Sequence, residues 1–299
     1  MDSSNLDSEL ASLVPGRAGT DYSRREFVRA ALGVGFAAAA GPVAAQTAIQ
    51  TSDDGLLAGE VQVHSGGQRI PAYRAQPKGG TDLPVVLVVS EIFGVHEYIA
   101  DVARRLAHQG YLAVAPDLFV RQGDPMQYGT VAEVMSRVIA KVPDAQVLQD
   151  LDACAAWAGA NGGRKGRLGV TGFCWGGRIV WLYCAHAAVD AGVAWYGRLE
   201  GGTSPLTPVN PVDIAGMLKA PVLGLYGGKD QGISAESIER MRAALAAGNV
   251  AARASEIVVY PDAEHGFHAD YRSSYNAADA QDGWARELAW LKQHGVAPG

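Results

Sequence analysis

Residues 168–177 read LGVTGFCWGG, an apolar run that leads into a cysteine flanked by glycines. Its first four residues are typical of a buried strand, and the apolar residues from Gly176 to Ala187 predict a helix packed under a sheet. Between them, GFCWG has the small-x-nucleophile-x-small form of a nucleophile elbow, with cysteine in place of the commoner serine. Small residues flank such a strained turn because larger ones collide with neighbouring backbone. The pattern predicts a reactive Cys174, although a buried, inert thiol fits the same residues.

Segments typical of strands and of helices alternate on both sides of this turn. Val85 to Ser90 is a valine-rich run, typical of a strand buried on both faces of a parallel sheet. Apolar residues then recur at helical spacing from Ile99 to Leu106, and Gly110 is the stop signal. Further strands are predicted at 61–63, 70–74, 112–115, 191–196, 222–226 and 256–260, and further helices at 145–160, 235–247 and 278–293. This alternation predicts an α/β fold with a mostly parallel sheet and helices on both faces.

Two polar residues follow later predicted strands. Asp230 comes after the strand at 222–226, and His265 comes after the strand at 256–260. Nucleophile, acid and histidine in this chain order are typical of an α/β-hydrolase, in which the carboxyl ends of parallel strands meet at one edge of the sheet. We expect His265 to accept the Cys174 proton and Asp230 to orient His265. Asp262 and Glu264 are competing acids, which we interpret as exposed loop carboxylates.

Acyl transfer also requires backbone donors for the oxyanion of the tetrahedral intermediate. One donor is expected directly after the nucleophile, at the N–H of Trp175. The other is expected in the loop after the strand at 85–90, at Ile92. The sequence therefore predicts an oxyanion hole formed by Ile92 and Trp175.

Four motifs along the chain are similar to those of a known family. They are SEIFG at 90–94, APDLFVR at 115–121, GFCWGG at 172–177 and HGF at 265–267. Taken together and in this order, they resemble the dienelactone hydrolase family (carboxymethylenebutenolidases), from about Glu60 to the C-terminus. The resemblance implies an α/β-hydrolase fold, hydrolysis of ester or lactone bonds, and a triad of Cys174, His265 and Asp230.

The resemblance implies two further site residues. Glu91 matches a family glutamate that engages the resting thiol until substrate binding releases the reactive thiolate. Arg121 matches a family arginine that binds the carboxylate of the substrate. The family's best-known members carry a second arginine four residues after the histidine, where this chain has Ala269, and the nearest arginine is Arg272.

The composition of the 299-residue chain is that of a globular enzyme, with 48% hydrophobic and 19% charged residues. A net charge of −6 without a long basic run outside the N-terminus gives no support for binding nucleic acid. The cysteines, Cys154, Cys174 and Cys184, match no zinc-site spacing. His265 and His268 without a third ligand are a weak metal signal, so we expect neither a metal nor an organic cofactor.

The N-terminal residues have the three parts of an export signal in order. SRREFV at 23–28 is a twin-arginine pattern, residues 30–40 are apolar, and small residues follow at 43–45. The apolar run is shorter than the ~20 residues of a membrane-spanning helix. A surface helix with a chance arginine pair is the alternative interpretation.

These observations divide the chain into three parts. We predict a signal at 1–45 that is cleaved after Ala45 and recognised by the twin-arginine translocation machinery, a linker at 46–59, and an α/β-hydrolase catalytic domain at 60–299. The mature protein is then periplasmic or extracellular and has no stable membrane span.

The sequence leaves three functions open. The first is hydrolysis of an ester or lactone, of the dienelactone type, through a thioester on Cys174. The second is a general carboxylesterase or thioesterase without preference for acidic lactones. The third is a catalytically silent binding protein that keeps the fold, and the complete set of nucleophile, histidine and acid argues against it.

Overall fold

The computed structural model describes residues 48–299. The predicted export signal at 1–45 lies outside the described residues. Within residues 48–299, no helix combines the length and the apolar character that crossing a membrane requires.

The described chain is built on one sheet. Its strands are β1 (Leu56–Ser65), β2 (Gln68–Pro77), β3 (Leu83–Val89), β4 (Leu112–Pro116), β5 (Gly163–Phe173), β6 (Ala191–Trp195), β7 (Val222–Gly227) and β8 (Glu256–Tyr260). Their order across the sheet is β1-β2-β4-β3-β5-β6-β7-β8. β2 runs antiparallel to β1 and β4, and all other neighbouring pairs are parallel. The predicted α/β fold with a mostly parallel sheet is therefore confirmed.

Helices connect the strands. They are α1 (Glu97–His108), α2 (Val131–Arg137), α3 (Asp144–Ala160), α4 (Trp175–His186), α5 (Pro211–Ile214), α6 (Ala235–Ala247), α7 (Val250–Arg253) and α8 (Ala277–Gln293). The bounds of α3, α4, α6 and α8 lie within one residue of the predicted segments. Helix α2 escaped prediction, although its signal is present: the Thr130 hydroxyl accepts a hydrogen bond from the N–H of Glu133, at 3.2 Å.

Two strands, β1 and β5, begin five residues earlier than their apolar patterns predict. β1 begins at Leu56, inside the segment 46–59 predicted to be a linker, because it pairs along the whole of β2 as far as Pro77. β5 begins at Gly163 rather than at Leu168, and its first residues are polar or small, so they lack a strand pattern. In both cases pairing with a neighbouring strand extends the element beyond its apolar core.

The helices cover both faces of the sheet. Successive residues of a strand point to opposite faces, so Gly169 and Gly172 of β5 face opposite sides. A Cβ at Gly169 would lie 2.7 Å from Leu291 of α8, whereas a Cβ at Gly172 would lie 3.1 Å from Val180 of α4. Helices α4 and α8 therefore pack on opposite faces of β5.

The carboxyl ends of four parallel strands lie along one edge of the sheet. The chain leaves β3 into residues 90–96, leaves β5 at Cys174, leaves β7 into residues 228–230 and leaves β8 into residues 261–276. Every side chain from Val85 to Val89 is at most 3% exposed, so β3 is anchored in the core up to the point where its loop begins. This edge is where open α/β sheets bind ligands.

Backbone contacts at the β5–α4 turn leave no space for larger residues. A Cβ at Gly172 would lie 2.5 Å from the carbonyl oxygen of Gly176. A Cβ at Gly176 would lie 2.3 Å from the carbonyl oxygen of Val89, at the end of β3. The two flanking glycines are therefore required by close approach of backbone to backbone.

Replacing Gly176 by alanine should destabilise the fold, because the added methyl group meets rigid backbone rather than a side chain that can rotate. We expect Gly176→Ala to lower the free energy of unfolding by about 1–3 kcal/mol, the cost of overfilling a packed site. Urea unfolding followed by circular dichroism measures this change.

Gly159 of α3 provides the matched control, since a Cβ there meets only Lys165 Cγ, at an ordinary 3.7 Å. Gly159→Ala should leave stability unchanged or raise it by up to about 1 kcal/mol, because alanine is the better helix former. If Gly176→Ala were as stable as the wild type, the close approach to β3 would be wrong.

Candidate active site

Cys174 occupies the turn between β5 and α4, as the sequence predicts. Its backbone is strained, with φ 54° and ψ −113°, and its N–H donates to the carbonyl oxygen of Trp195 at the end of β6, at 3.0 Å. The thiol is partly exposed, whereas Cys154 and Cys184 are buried. It stands directly before α4, at the positive end of the helix dipole.

His265 and Asp230 meet at this turn. Asp230 Oδ2 accepts a hydrogen bond from His265 Nδ1 at 2.6 Å, and the Asp230 side chain is fully buried. His265 also hydrogen-bonds to Cys174. Burial by itself would lower the pKa of His265, but the charges of Cys174 and Asp230 outweigh burial and raise it to about 10. A protonated imidazole therefore lies between a carboxylate and the sulfur at neutral pH.

The two competing acids lie elsewhere. Asp262 forms an exposed ion pair with Lys229 at 2.8 Å, and Glu264 is exposed to solvent. Asp230 is thus the carboxylate that contacts His265. The two residues meet because Asp230 follows β7, His265 follows β8, and these strands are neighbours in the sheet.

The predicted oxyanion donors lie on the two segments that meet at Gly176. Trp175 is the first residue of α4, so its N–H has no acceptor within the helix. Ile92 belongs to the loop after β3, and the first turn of α4 packs against the carbonyl groups of Val89 and Ser90. The structure therefore brings the segments of Ile92 and Trp175 together beside Cys174.

Glu91 is fully buried in a cluster of polar side chains. Its carboxylate accepts a hydrogen bond from the hydroxyl of Tyr271 at 2.7 Å and lies 3.2 Å from His96 Nε2. Arg272 pairs with its other oxygen at 3.3 Å. Burial would raise the pKa of Glu91, but Arg272, His96 and Tyr271 together lower it to about 2. These contacts, rather than a contact with the thiol, hold the carboxylate in the described structure.

The position four residues after His265, where the resemblance places a second arginine, is occupied by Ala269, and the nearest arginine is Arg272. Ala269 is fully buried, and Arg272 is 4% exposed. The guanidinium of Arg272 lies over the rings of Phe93 and Tyr271, with centroids at 5.7 and 5.6 Å. An arginine is therefore present beside the loop after β3, but it is engaged by Glu91.

Arg121 lies in a second ion pair. It contacts both carboxylate oxygens of Asp150, on α3, at 2.6 and 3.0 Å, and donates to the carbonyl oxygen of Ser65 at 3.1 Å. The side chain of Asp150 is completely buried. Arg121 therefore ties the loop after β4 to α3 and β1, and its described contacts include none with the triad residues.

A row of buried polar aromatic residues under the turn escaped sequence prediction. Tyr98 OH lies 2.6 Å from His268 Nδ1, and the ring of Tyr196 meets that of His265 edge-on at 5.1 Å. His268 is bound in this way to Tyr98 rather than arranged as a metal ligand. Among residues 48–299, no group of three or more His, Cys, Asp or Glu side chains could hold a metal ion. The sequence does hold a signal for this cluster, because Tyr and His residues follow both the SEIFG motif and the HGF motif.

Known proteins share this sequence and fold. Residues 70–295 match the dienelactone hydrolase family. A relative from Methylorubrum extorquens, provisionally named carboxymethylenebutenolidase, is 56% identical over 294 residues, which cover 98% of this chain and 99% of the relative. A relative from Escherichia coli K12 with the same provisional name is 57% identical over 263 residues, or 87% of this chain and 96% of the relative.

A solved structure agrees with the sequence matches. A crystal structure from Klebsiella pneumoniae, described provisionally as a dienelactone hydrolase, is 55% identical and superimposes with a TM-score of 0.77 over 80% of this chain and 99% of that chain. The chain therefore belongs to the dienelactone hydrolase family.

Proposed function

We propose that this protein hydrolyses carboxylic ester or lactone bonds by covalent catalysis at Cys174, with His265 and Asp230 completing the triad. The observation that carries the proposal is the convergence of three strand ends. Asp230 accepts a 2.6 Å hydrogen bond from His265, and His265 in turn interacts with the sulfur of Cys174. Membership of the dienelactone hydrolase family supports the same reaction class.

Acylation begins with attack of the Cys174 thiolate on the carbonyl carbon. The carbon–sulfur bond forms as the carbonyl π electrons move to oxygen, and the N–H groups of Ile92 and Trp175 stabilise the resulting oxyanion. Collapse of this intermediate breaks the bond to the leaving oxygen, which takes the proton held by His265 Nε2. The product of this half-reaction is a thioester on Cys174.

Deacylation uses the same groups in the opposite sense. His265, now neutral, removes a proton from water as the water oxygen attacks the thioester carbonyl. The second oxyanion occupies the same donors, and its collapse releases the acid and regenerates the thiolate beside a protonated imidazole. Asp230 keeps Nε2 of His265 directed at the sulfur throughout.

A second candidate is an esterase that prefers substrates without a carboxylate group. The observation that favours it is the engagement of both arginines: Arg121 by the buried Asp150, and Arg272 by the buried Glu91. Moving either guanidinium to a substrate carboxylate would leave a buried carboxylate unpaired, which is costly. This candidate has no selectivity for acidic lactones.

Replacing the proposed nucleophile should abolish turnover. We expect Cys174→Ala to lower kcat/KM by about 10³-fold or more on every ester or lactone that the wild type cleaves, because no covalent intermediate can form. Cys154→Ala is the matched control, since this buried thiol lies on α3, and it should keep the wild-type rate within about twofold. Turnover that survives in Cys174→Ala would sink the proposed mechanism.

The same assay separates the two candidates. The panel contains neutral p-nitrophenyl esters and an acidic enol-lactone. The quantity compared is the rate on the acidic enol-lactone divided by the rate on the neutral esters. This ratio is independent of the amount of folded enzyme. Arg121→Gln should lower this ratio if Arg121 binds a substrate carboxylate. An unchanged ratio, with neutral esters preferred, selects the second candidate.

Removing the charge of Asp230 should change both the rate and its pH dependence. Asp230 raises the pKa of His265, so Asp230→Asn lowers that pKa, and the imidazolium is lost at a lower pH. We expect the alkaline limb of the kcat/KM profile to move to lower pH and the maximum to fall by about 10²–10⁴-fold.

Asp262→Asn is the control for this experiment. Asp262 is the competing acid, exposed in its pair with Lys229, and its replacement should leave both the maximum and the alkaline limb in place. If Asp262→Asn moved the limb and Asp230→Asn did not, the orienting carboxylate would have been assigned wrongly.

We further propose that the protein is exported through the twin-arginine machinery, on the basis of the signal pattern at 1–45. In a bacterium with that machinery, the wild type should appear in the periplasmic fraction with Gln46 as its first residue. Arg24→Lys with Arg25→Lys should retain the full-length chain in the cytoplasm, whereas Arg17→Lys should be exported normally. Full-length wild-type protein in the cytoplasm would contradict export.

A further inference from the structure

Four acidic residues of the described chain have no exposed surface: Glu91, Asp101, Asp150 and Glu287. Three of them contact an arginine, in the pairs Glu91–Arg272, Asp101–Arg105 and Asp150–Arg121. Glu287, on α8, is the exception, because no arginine, lysine or histidine side chain among residues 48–299 pairs with it. Its carboxyl group is buried without a counter-charge.

Glu287 lies between α8 and the centre of the sheet. Gly283, Glu287 and Leu291 recur every four residues, so they share one face of the helix. A Cβ at Gly283 would lie 2.6 Å from the ring of Trp195, on β6, and Leu291 packs against Gly169, on β5. Between these contacts, the indole Nε1 of Trp195 donates a hydrogen bond to Oε2 of Glu287 at 2.8 Å.

The second oxygen of Glu287, Oε1, has no hydrogen-bond partner in the described structure. Thr171 follows Gly169 by two residues and therefore points to the same face of β5, and its buried hydroxyl oxygen is also without a partner. An indole N–H and a hydroxyl are neutral groups, so neither balances a negative charge. A carboxylate buried without a cation is strongly disfavoured, and such a group takes up a proton instead.

The titration of Glu287 agrees with this geometry. Burial raises its pKa to about 7, against the opposing hydrogen bond from Trp195. Two other titratable groups face this interface: Tyr111, between α1 and β4, and His268, whose ring lies 4.4 Å from that of Trp195. Burial raises the pKa of Tyr111 to about 12 and lowers the pKa of His268 well below its usual value, so both are neutral at pH 7.

The charged groups near α8 keep a constant charge near pH 7. Tyr260, of β8, donates to Asp282, which forms an exposed pair with Arg286. Burial raises the pKa of Tyr260, and the hydrogen bond between Asp282 and Arg286 lowers the pKa of the acid and raises that of the base. Burial lowers the pKa of His294, directly after α8, so it loses its charge at a lower pH than Glu287 does.

We propose that Glu287 is a proton-binding site in the core and makes the fold pH-sensitive: protonated, it allows α8 to pack tightly against β5 and β6, and ionised, it weakens that packing. The interface adjoins the proposed active site, because the carbonyl oxygen of Trp195 accepts the N–H of Cys174 at 3.0 Å and its ring contacts Phe267. The inference concerns ionisation in the core and does not rest on the proposed function.

Glu287→Gln tests the proposal, because glutamine keeps an acceptor for Trp195 and carries no charge at any pH. The pKa of Glu287 is raised in the folded protein above its ordinary value of 4.5, so the stability it contributes is present at low pH and lost as the pH rises through about 7. From pH 5 to pH 8, the melting temperature of the wild type should therefore fall by about 5–10 °C relative to that of the variant. Calorimetry across this pH range measures the difference.

Glu60→Gln is the matched control, since it makes the same chemical change on the exposed side of β1. Its melting temperature should follow that of the wild type within about 1 °C at every pH, as is usual for a surface substitution. A difference between the wild type and folded Glu287→Gln that stays constant from pH 5 to pH 8 overturns the proposal.

The indole N–H of Trp195 provides a local readout that needs only the wild type. In protein labelled with 15N-tryptophan and assigned by triple-resonance experiments, this signal should shift with a midpoint near pH 7, because its acceptor gains a charge there. If Glu287→Gln fails to fold, this titration decides, and a signal that stays constant from pH 5 to pH 9 overturns the proposal. Neither measurement uses a substrate, so a protein that hydrolyses no ester can still support this inference, and an active enzyme can contradict it.

Discussion

The close approach of three backbone segments around the start of α4 is the constraint on which the site depends. On one side, Gly176 lies against the end of β3, and on the other side, Gly177 and Gly197 pack the chain leaving β6 onto the same helical turn. Each contact is possible only without a Cβ. The loop that carries Ile92, the sulfur of Cys174 and the ring of Tyr196 are therefore parts of one rigid frame. The geometry of this edge of the sheet follows from close packing of backbone against backbone.

Paired buried charges hold the loops around that frame. Glu91 and Arg272 link the loop after β3 to the segment after His265. Arg105 of α1 makes a parallel link, since it contacts both Asp101 and Asp270, each at 2.5 Å. A buried charge is tolerated only with a partner, so the pairs Glu91–Arg272 and Arg105–Asp270 each fix the relative position of two segments that are distant in the sequence. The same pairing occupies the guanidinium group of Arg272.

The three cysteines lie in different environments. Burial raises the pKa of both Cys154 and Cys184, which keeps these thiols protonated inside the helical layers. Cys174 differs by its place in the fold, at a strained turn, at a helix N-terminus and in a hydrogen bond with His265.

The sequence by itself determined the architecture and the three residues proposed for the triad, because strand and helix periodicities, the glycine-flanked turn and the chain order of Cys174, Asp230 and His265 are local or ordinal features. It also favours Asp230 over its neighbours as the acid, and in the structure Asp230 is the carboxylate that hydrogen-bonds to His265, whereas Asp262 is exposed and paired with Lys229. Only the tertiary structure decided which partners Glu91, Arg121 and Arg272 take, and that the rings of Tyr196 and Tyr98 lie against His265 and Phe173. Those contacts join residues up to 181 positions apart, as in the pair of Glu91 with Arg272. Ion pairs and ring contacts leave no periodic trace in the chain, since they depend on where the strand ends and loops come together after folding.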